Sequence, residues 1–302
     1  MRPKTCDAAR NKWKGILLQT EVDKKHLTGK HAPCPLCGGK DRFRFLNSDG
    51  NGTWICNQCG AGTGMDLLMQ AKGWDFRTAA QEVDRILGNV ADDPAPKPAL
   101  SEAKRRQLMN ELWKASKPVE RDCPAGWYLS TRVAGWQNCA DLRFAEAAPV
   151  PGGGKSPAML ALVRDVATGA PATIHRTFLT LDGAKAAMDN PRAMMPGDLP
   201  EAVSVRLAEA GETLGIAEGI ETALAAQAKF GVPCHAALTA GFMAKWQPPE
   251  GVRKVIVFGD CDGNYTGQAA AYTLAHRLSR KLQVEVRIPG QFGTDWADEV
   301  AA

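Results

Sequence analysis

Four cysteines, arranged as Cys34-Pro-Leu-Cys37 and Cys56-Asn-Gln-Cys59 with eighteen residues between the pairs, constrain this chain more than any other feature. Two C-x2-C knuckles at that separation have the spacing of a tetrahedral zinc site. Gly38 and Gly60 follow the knuckles and supply the backbone freedom such turns need. Between them, Arg42-Phe-Arg-Phe-Leu-Asn47 alternates polar and apolar, Ser48 to Gly52 has turn chemistry, and Thr53 to Ile55 returns. This reads as a hairpin, so the whole is expected to be a zinc ribbon. A redox dithiol needs only one pair and normally sits on a βαβ unit. Four thiolates leave zinc no open position, so the metal is expected to be structural and to supply much of the folding energy. Function must then come from the ribbon's surface. Lys40, Arg42, Arg44 and Trp54 combine cations with an aromatic ring, a set suited to phosphates and unstacked bases. A solvated charged hairpin with a structural Trp is the plainer alternative.

The 302 residues allow two or three domains, and 44% hydrophobic with 23% charged residues is an ordinary globular balance. Met1 to Thr20 is basic and polar, unlike a signal peptide, and no later stretch is apolar enough to span a membrane. A cytoplasmic protein with reduced thiols is expected, and nine cysteines, an odd number, argue against a complete disulfide framework. Residues 1–90 hold fourteen Lys and Arg against nine Asp and Glu, a net +5, so the remainder of a chain at +4 carries −1. A polyanion would be attracted to the first third.

Trp13, Ile16 and Leu17 recur at helical spacing, as a packed helix or a basic arm. Two short amphipathic helices are expected over 64–71 and 76–87, the second ended by Gly88. Ala91-Asp-Asp-Pro-Ala-Pro-Lys-Pro98 reads as a semi-rigid linker. The expected division is a ribbon domain with trailing helices over 1–90, a linker over 91–100, a central α+β region over 101–205, and a last domain over 206–302. The centre contains helices near 101–117 and 127–132, then strands over 142–144, 158–164 and 173–180. Pro151-Gly-Gly-Gly-Lys155-Ser156 invites a phosphate-loop reading but lacks it: Pro149 stands where the first glycine belongs, and Pro157 cannot open the required helix. Arg176, Lys185 and Arg192 are candidate cations for nucleotide phosphates.

In the last third, Val255 to Phe258 is a run of β-branched and aromatic residues, as in a strand buried on both faces of a parallel sheet. Asp260 and Asp262 follow at its carboxyl end, where open α/β sheets place ligands. Thr213 to Ala217 is a second such strand, and Glu218 stands at its end. With strands at 234–238 and 284–288 and helices between, the order is that of a mostly parallel sheet flanked by helices. The fold class is multi-domain α/β. Carboxylates gathered on one sheet edge repel one another unless a divalent cation lies between them. Loop acids or helix caps are the alternative.

Ala217-Glu-Gly-Ile-Glu-Thr-Ala-Leu-Ala225, the Asp260-x-Asp262 pair and Gly267-Gln-Ala-Ala-Ala271 together resemble a Toprim domain, and Gly293-Thr-Asp-Trp-Ala-Asp298 resembles its tail in phage and plasmid primases. Cys34-Pro-Leu-Cys-Gly-Gly-Lys-Asp-Arg-Phe-Arg-Phe45 with Gly52-Thr-Trp-Ile-Cys-Asn-Gln-Cys-Gly60 resembles the zinc-binding domain of the same primase and primase-helicase proteins. The resemblance implies a DNA primase, a nucleotidyltransferase that makes short RNA primers on single-stranded DNA from nucleoside triphosphates. It implies structural Zn²⁺ on Cys34, Cys37, Cys56 and Cys59, and catalytic Mg²⁺ or Mn²⁺ on Glu218, Asp260 and Asp262, with Asp295 as a further ligand. Many relatives continue into a helicase, whereas this chain ends at Ala302, so a separate replicative helicase is expected. A Toprim nuclease or recombination protein, or a template-binding adaptor with an inactive Toprim domain, would share the same acids.

Overall fold

Alternation of apolar and polar side chains makes the cysteine-bearing segment a sheet with one buried face. In the computed structural model, which describes residues 5–93 and 100–301, the chain divides into two units between Ala99 and Leu100. The first contains helices α1 (Thr5–Ala8) and α2 (Trp13–Gln19), then strands β1 (Ala32–Cys34), β2 (Gly38–Phe45), β3 (Trp54–Cys56) and β4 (Gly60–Gly62). These form an antiparallel sheet in the order β1-β2-β3-β4. The expected hairpin is its central pair, and each knuckle adds a short outer strand. Helices α3 (Gly64–Lys72) and α4 (Phe76–Ile86) complete the unit. Thr63 and Asp66 close a capping box on α3, and Asp75 caps α4.

Phe43, Phe45 and Trp54 bury one face of this sheet against Trp13, Ile16 and Leu17 of α2, with Leu67, Leu68, Val83 and Ile86 behind them. The first helix is thus packed rather than a free arm. Gly64 permits close approach of α3 to α2, since a Cβ there would fall 2.3 Å from the Trp13 ring. Asp93 returns to this body, where its carboxylate accepts from the Lys14 amide at 3.0 Å and the Asn47 side chain at 2.9 Å. The proline-rich linker expected over 91–100 otherwise lies outside the described residues, apart from Ala91, Asp92 and Leu100.

The second unit is built on one ten-stranded sheet. Helices α5 (Glu102–Ala115, capped by Ser101) and α6 (Pro124–Arg132) flank β5 (Lys117–Pro118). Then come β6 (Leu142–Pro149), β7 (Lys155–Asp165), β8 (Pro171–Phe178), β9 (Arg192–Met194) and β10 (Val203–Arg206). The glycine run at 152–154 is the β6–β7 hairpin turn, closed by the Val150 amide on the Gly154 carbonyl at 3.0 Å. After it the chain alternates: β11 (Thr213–Ala217), α7 (Ile220–Phe230), β12 (Cys234–Ala236), α8 (Ala240–Lys245), β13 (Lys254–Phe258), α9 (Thr266–Leu278), β14 (Gln283–Arg287) and α10 (Trp296–Ala301).

Sheet order is β14-β13-β11-β12-β10-β7-β6-β5, with β8 on β7 and β9 on β8. The four strands from β14 to β12 are mutually parallel, as the sequence predicts. Strand β10 pairs antiparallel with both β12 and β7, so the strands of the central region and those of the last third belong to one sheet. Strand β13 shows why its sequence is uniformly apolar: Ile256 and Phe258 pack toward α7 and α10, whereas Val255 and Val257 pack toward α8 and α9. Phe258 stacks on Phe230 at 5.3 Å and meets Trp296 edge-on at 6.1 Å. Truncation at this position leaves a cavity that the surrounding strands cannot fill. Phe258→Ala is therefore expected to destabilise the second unit by about 3–5 kcal/mol, read as a lowered urea midpoint.

Candidate metal centres

The ribbon's ligands sit in two turns that the sheet holds face to face. The four Sγ atoms of Cys34, Cys37, Cys56 and Cys59 lie within 4.8 Å of one another. The Cys34–Cys59 and Cys37–Cys56 separations are 3.9 and 3.7 Å. A tetrahedron with zinc–sulfur bonds of about 2.3 Å has edges of about 3.8 Å, so the cluster fits that ion. Knuckle amides point at the sulfurs: Leu36 N–H at Cys34, and Gln58 and Cys59 N–H at Cys56, each at 3.4 Å. Burial raises the Cys56 thiol, but those two amides together with hydrogen bonds from Cys34 and Cys37 bring it down to about 7. This favours the thiolate at Cys56, whereas burial raises Cys34 and the hydrogen bond with Cys37 raises Cys59.

The sheet alternation decides what the ribbon exposes. Phe43, Phe45 and Trp54 point inward, and Arg44 is paired with Ile55 on the opposite face. Trp54 is only 1% exposed, stacks on Phe43 at 5.7 Å and donates its indole N–H to the Thr63 carbonyl at 2.9 Å. Its assignment as a nucleic-acid platform is corrected: it is a core residue, one position out of phase with the outer face. Ile55, 44% exposed, is the apolar side chain on that face. Lys40 and Arg44 are exposed and Arg42 half-buried. Arg42 donates to the Gln58 side chain, and Arg44 to the Gly29 carbonyl at 2.9 Å.

In the second unit Glu218 and the loop carrying Asp260 and Asp262 leave the same end of the sheet. Register pairs Ala217 with Phe258, so Glu218 and Gly259 leave the same sheet edge on neighbouring strands. The loop carrying Asp260 and Asp262 is stitched to the segment before α10. Cys261 N–H donates to the Thr294 carbonyl at 3.0 Å, and Gly293 N–H to the Cys261 carbonyl at 2.7 Å. Burial first, then the charges of Glu218, Asp295, Asp262 and Asp298, push the Asp260 carboxyl up to about 7. Glu218 is also raised, by burial and by Asp262, against the opposing effects of the Ala240 amide and Arg192. Asp260 Oδ1 is buried without a hydrogen-bond partner, whereas Asp262 Oδ2 accepts from the Gly267 amide at 2.8 Å.

An unpartnered hard oxygen amid like charges fits a hard divalent cation. Among the described residues only the four cysteines bring three or more ligand atoms within 4.8 Å, so the acids form no closed cage. Asp295 faces Asp260 but already serves α10: its Oδ1 accepts from Ala297 N–H at 2.7 Å and Asp298 N–H at 3.0 Å. Arg132 reaches Asp298 at 3.2 Å and Asp295 at 4.0 Å.

Beside the acids stands a cationic group. Arg192 donates Nη2 to Glu221 Oε1 at 2.8 Å, and the same oxygen accepts from the Tyr128 hydroxyl. The ammonium of Lys185 lies 5.8 Å from the Tyr128 ring. His175 and Thr177, neighbours on one face of β8, are buried with Nδ1 and Oγ1 unpartnered. Burial and the charge of Arg192 lower the His175 imidazole to about 4, so it is neutral. Arg176 points the other way. It is 3% exposed and donates to the carbonyls of Pro149 and Met194, the latter at 2.7 Å. Its assignment to nucleotide binding is corrected, because its guanidinium binds neighbouring strands together inside the fold. Sequence reading missed Glu221, Tyr128, Arg132 and His175. Glu221 alone carried a signal, as a second acid three residues after Glu218. A cavity of about 680 Å³, lined by Arg164, Arg206 and Pro233 among others, lies at the opposite sheet edge and includes none of the acids.

Three family models match in turn: the zinc-binding domain of primase-helicase over residues 29–65, a domain of unknown function (DUF7146) over 103–206, and a Toprim domain over 213–302. Among solved structures, the Aquifex aeolicus primase (zinc-binding and RNA polymerase domains) is 12% identical with a TM-score of 0.40, covering 99% of this chain and 82% of its own. The RNA polymerase domain of Mycobacterium tuberculosis primase is 18% identical with a TM-score of 0.39, covering 66% and 79%. A DnaG catalytic core is 15% identical at 0.42, covering 65% and 73%.

Two outcomes test the centres. Cys56→Ser is expected to lose most of the zinc measured by atomic absorption, and the ribbon's protease resistance with it. The pH dependence concerns Glu221, where burial opposes ionisation but Arg192, the Tyr128 hydroxyl and a backbone amide outweigh it and lower the carboxyl to about 2. Because the folded value lies below the unfolded one, its stabilisation is full above the ordinary Glu range and is lost as pH falls toward 2. Wild type should lose stability along that limb, and Glu221→Gln should flatten it in urea titrations at each pH. The chain thus carries a match to the zinc-binding domain of primase-helicase over residues 29–65 and a match to a Toprim domain over residues 213–302.

Proposed function

We propose that this chain synthesises short RNA primers on single-stranded DNA by divalent-metal-dependent nucleotidyl transfer. One observation carries the reading: Glu218, Asp260 and Asp262 share a parallel-sheet edge, with Asp260 Oδ1 buried and unpartnered, in a chain that begins with a primase-helicase zinc-binding domain. Glu218, Asp260 and Asp262 would hold Mg²⁺ or Mn²⁺, with Asp295 adjoining them as a cap that keeps the α10 segment in place. When bound, the cation neutralises triphosphate charge and lowers the pKa of the attacking 3′-hydroxyl. Arg192 and Lys185 stand beside the acids as counter-charges for the phosphates. In-line transfer asks little covalent chemistry of the protein, so these side chains act by fixing the phosphates and excluding alternative geometries.

The ribbon's zinc is structural in this reading, and its outer face meets the template. Lys40, Arg42 and Arg44 would track the phosphates, with Ile55 against a base or sugar. A helicase would provide the single strand.

Incubation with single-stranded DNA, labelled ribonucleotides and Mg²⁺ or Mn²⁺ should yield short RNA. Template cleavage without synthesis would favour the nuclease reading, and binding with neither reaction an adaptor. Asp260→Ala is expected to cut synthesis by about three orders of magnitude, the scale of a lost metal's charge stabilisation. DNA affinity should stay within about twofold, since that carboxylate neutralises no template phosphate. Arg44→Ala should instead lower template affinity and reduce the slope of log K against log salt by about 0.7, as expected for one single-strand phosphate contact.

A further inference from the structure

The Glu221 carboxylate does something the metal acids do not. It is 4% exposed, lies in the first turn of α7 three residues after Glu218, and its Tyr128 and Arg192 partners both meet one oxygen, Oε1. Those partners come from elsewhere in the chain: Tyr128 from α6 and Arg192 from the edge strand β9. Burying a carboxylate is costly unless a cation and hydrogen bonds meet it, and here both do. A pair serving only to stabilise the core would be enclosed on both sides. This one is not: the Glu221 side chain is 5% exposed, the Arg192 side chain 46%. Glu221, with the Tyr128 hydroxyl beside it, therefore grips one edge of a guanidinium whose side chain stays half exposed. The position of that guanidinium matters, because its charge acts on Glu218, on Lys185 and on His175 as well as on Glu221. A triphosphate held by a cation on Glu218 and Asp260 would lie next to it.

From this geometry, and resting on the nucleotidyl-transfer reading, we infer that Glu221 and Tyr128 are positioning residues that fix Arg192 as a preset clamp for the triphosphate of the incoming nucleotide. A flexible arginine on an edge strand loses side-chain freedom whenever it grips a phosphate, and an arginine already restrained by a buried carboxylate does so beforehand. Tyr128 contributes twice. Its hydroxyl orients the carboxylate, and its ring lies under Lys185, the second cation of the group.

The test uses the full chain and the variants Tyr128→Phe, Glu221→Gln and Arg192→Ala. It measures kcat and KM for primer synthesis, equilibrium binding of a labelled nucleoside triphosphate with Mg²⁺ but no template, and thermal unfolding. Tyr128→Phe and Glu221→Gln should each raise KM and the nucleotide Kd by about tenfold, the effect of losing one hydrogen bond to a charged group, with kcat much less affected. In the Arg192→Ala background, Tyr128→Phe should add almost nothing, because the side chain it positions is gone. A loss that follows the folded fraction while KM and Kd stay at wild-type values would overturn the inference and leave Glu221 a structural ion pair. If Glu221→Gln does not fold, Tyr128→Phe decides alone, since it removes a hydroxyl and keeps the ring. Wild type that neither binds nucleotide nor makes primers would sink the primase reading itself, a result separable from wild-type activity with unaltered variants.

Discussion

Parallel pairing of β11 with β13 is the constraint on which the second unit depends. Five consecutive residue pairs, Thr213–Lys254 to Ala217–Phe258, bring two strands to a common end, and the chain turns there on both. A slip of one residue would send Ile256 and Phe258 to the face that Val255 and Val257 occupy, and neither core would close. Apolar packing on the two faces therefore fixes the position of Glu218 relative to Asp260, although neither acid contributes to that packing. Charge is placed by hydrophobic shape.

The consequence is an electrostatically unbalanced rim. Asp260 has four carboxylates acting on it, and none of them is relieved at its buried Oδ1. A few side chains away the imbalance is reversed, with Arg192 and Lys185 close together and Glu221 compensating only in part. Rims of this kind, negative beside positive with neither neutralised, complement a ligand that brings cation and polyanion together. A metal–triphosphate pair has that distribution.

Much of this was legible in the sequence, and the failures have physical reasons. Zinc spacing is a local property, so Cys34 to Cys59 could be read directly. The apolar run at Val255 to Phe258 marked a strand covered on both sides, and the acids after it followed. Trp54 misled because composition names an aromatic without saying which side of a two-residue period it occupies. The neighbouring alternation of Phe43 and Phe45 could have settled that, since both pair with the inward positions of β3. Arg176 misled for a related reason: on β8 it alternates with His175 and Thr177, and only the tertiary packing shows which set faces the charged group. Tyr128 and Arg132 come from a helix more than sixty residues upstream of β11, a separation no local pattern can bridge.

The antiparallel strand β10 has an implication for how the chain is inherited. Matches to two family models, residues 103–206 and 213–302, meet just after this strand, and their boundary suggests two modules that could be exchanged. The sheet does not allow it. Separating the modules would strip β12 of its antiparallel neighbour and β10 of one of its two, exposing unsatisfied amides and carbonyls along both edges. What reads as two evolutionary segments is one folding unit, so changes on either side of the boundary are bound to the same backbone seam. Recombination in this lineage should be tolerated between the two units, near Ala99 and Leu100, far more readily than within the second.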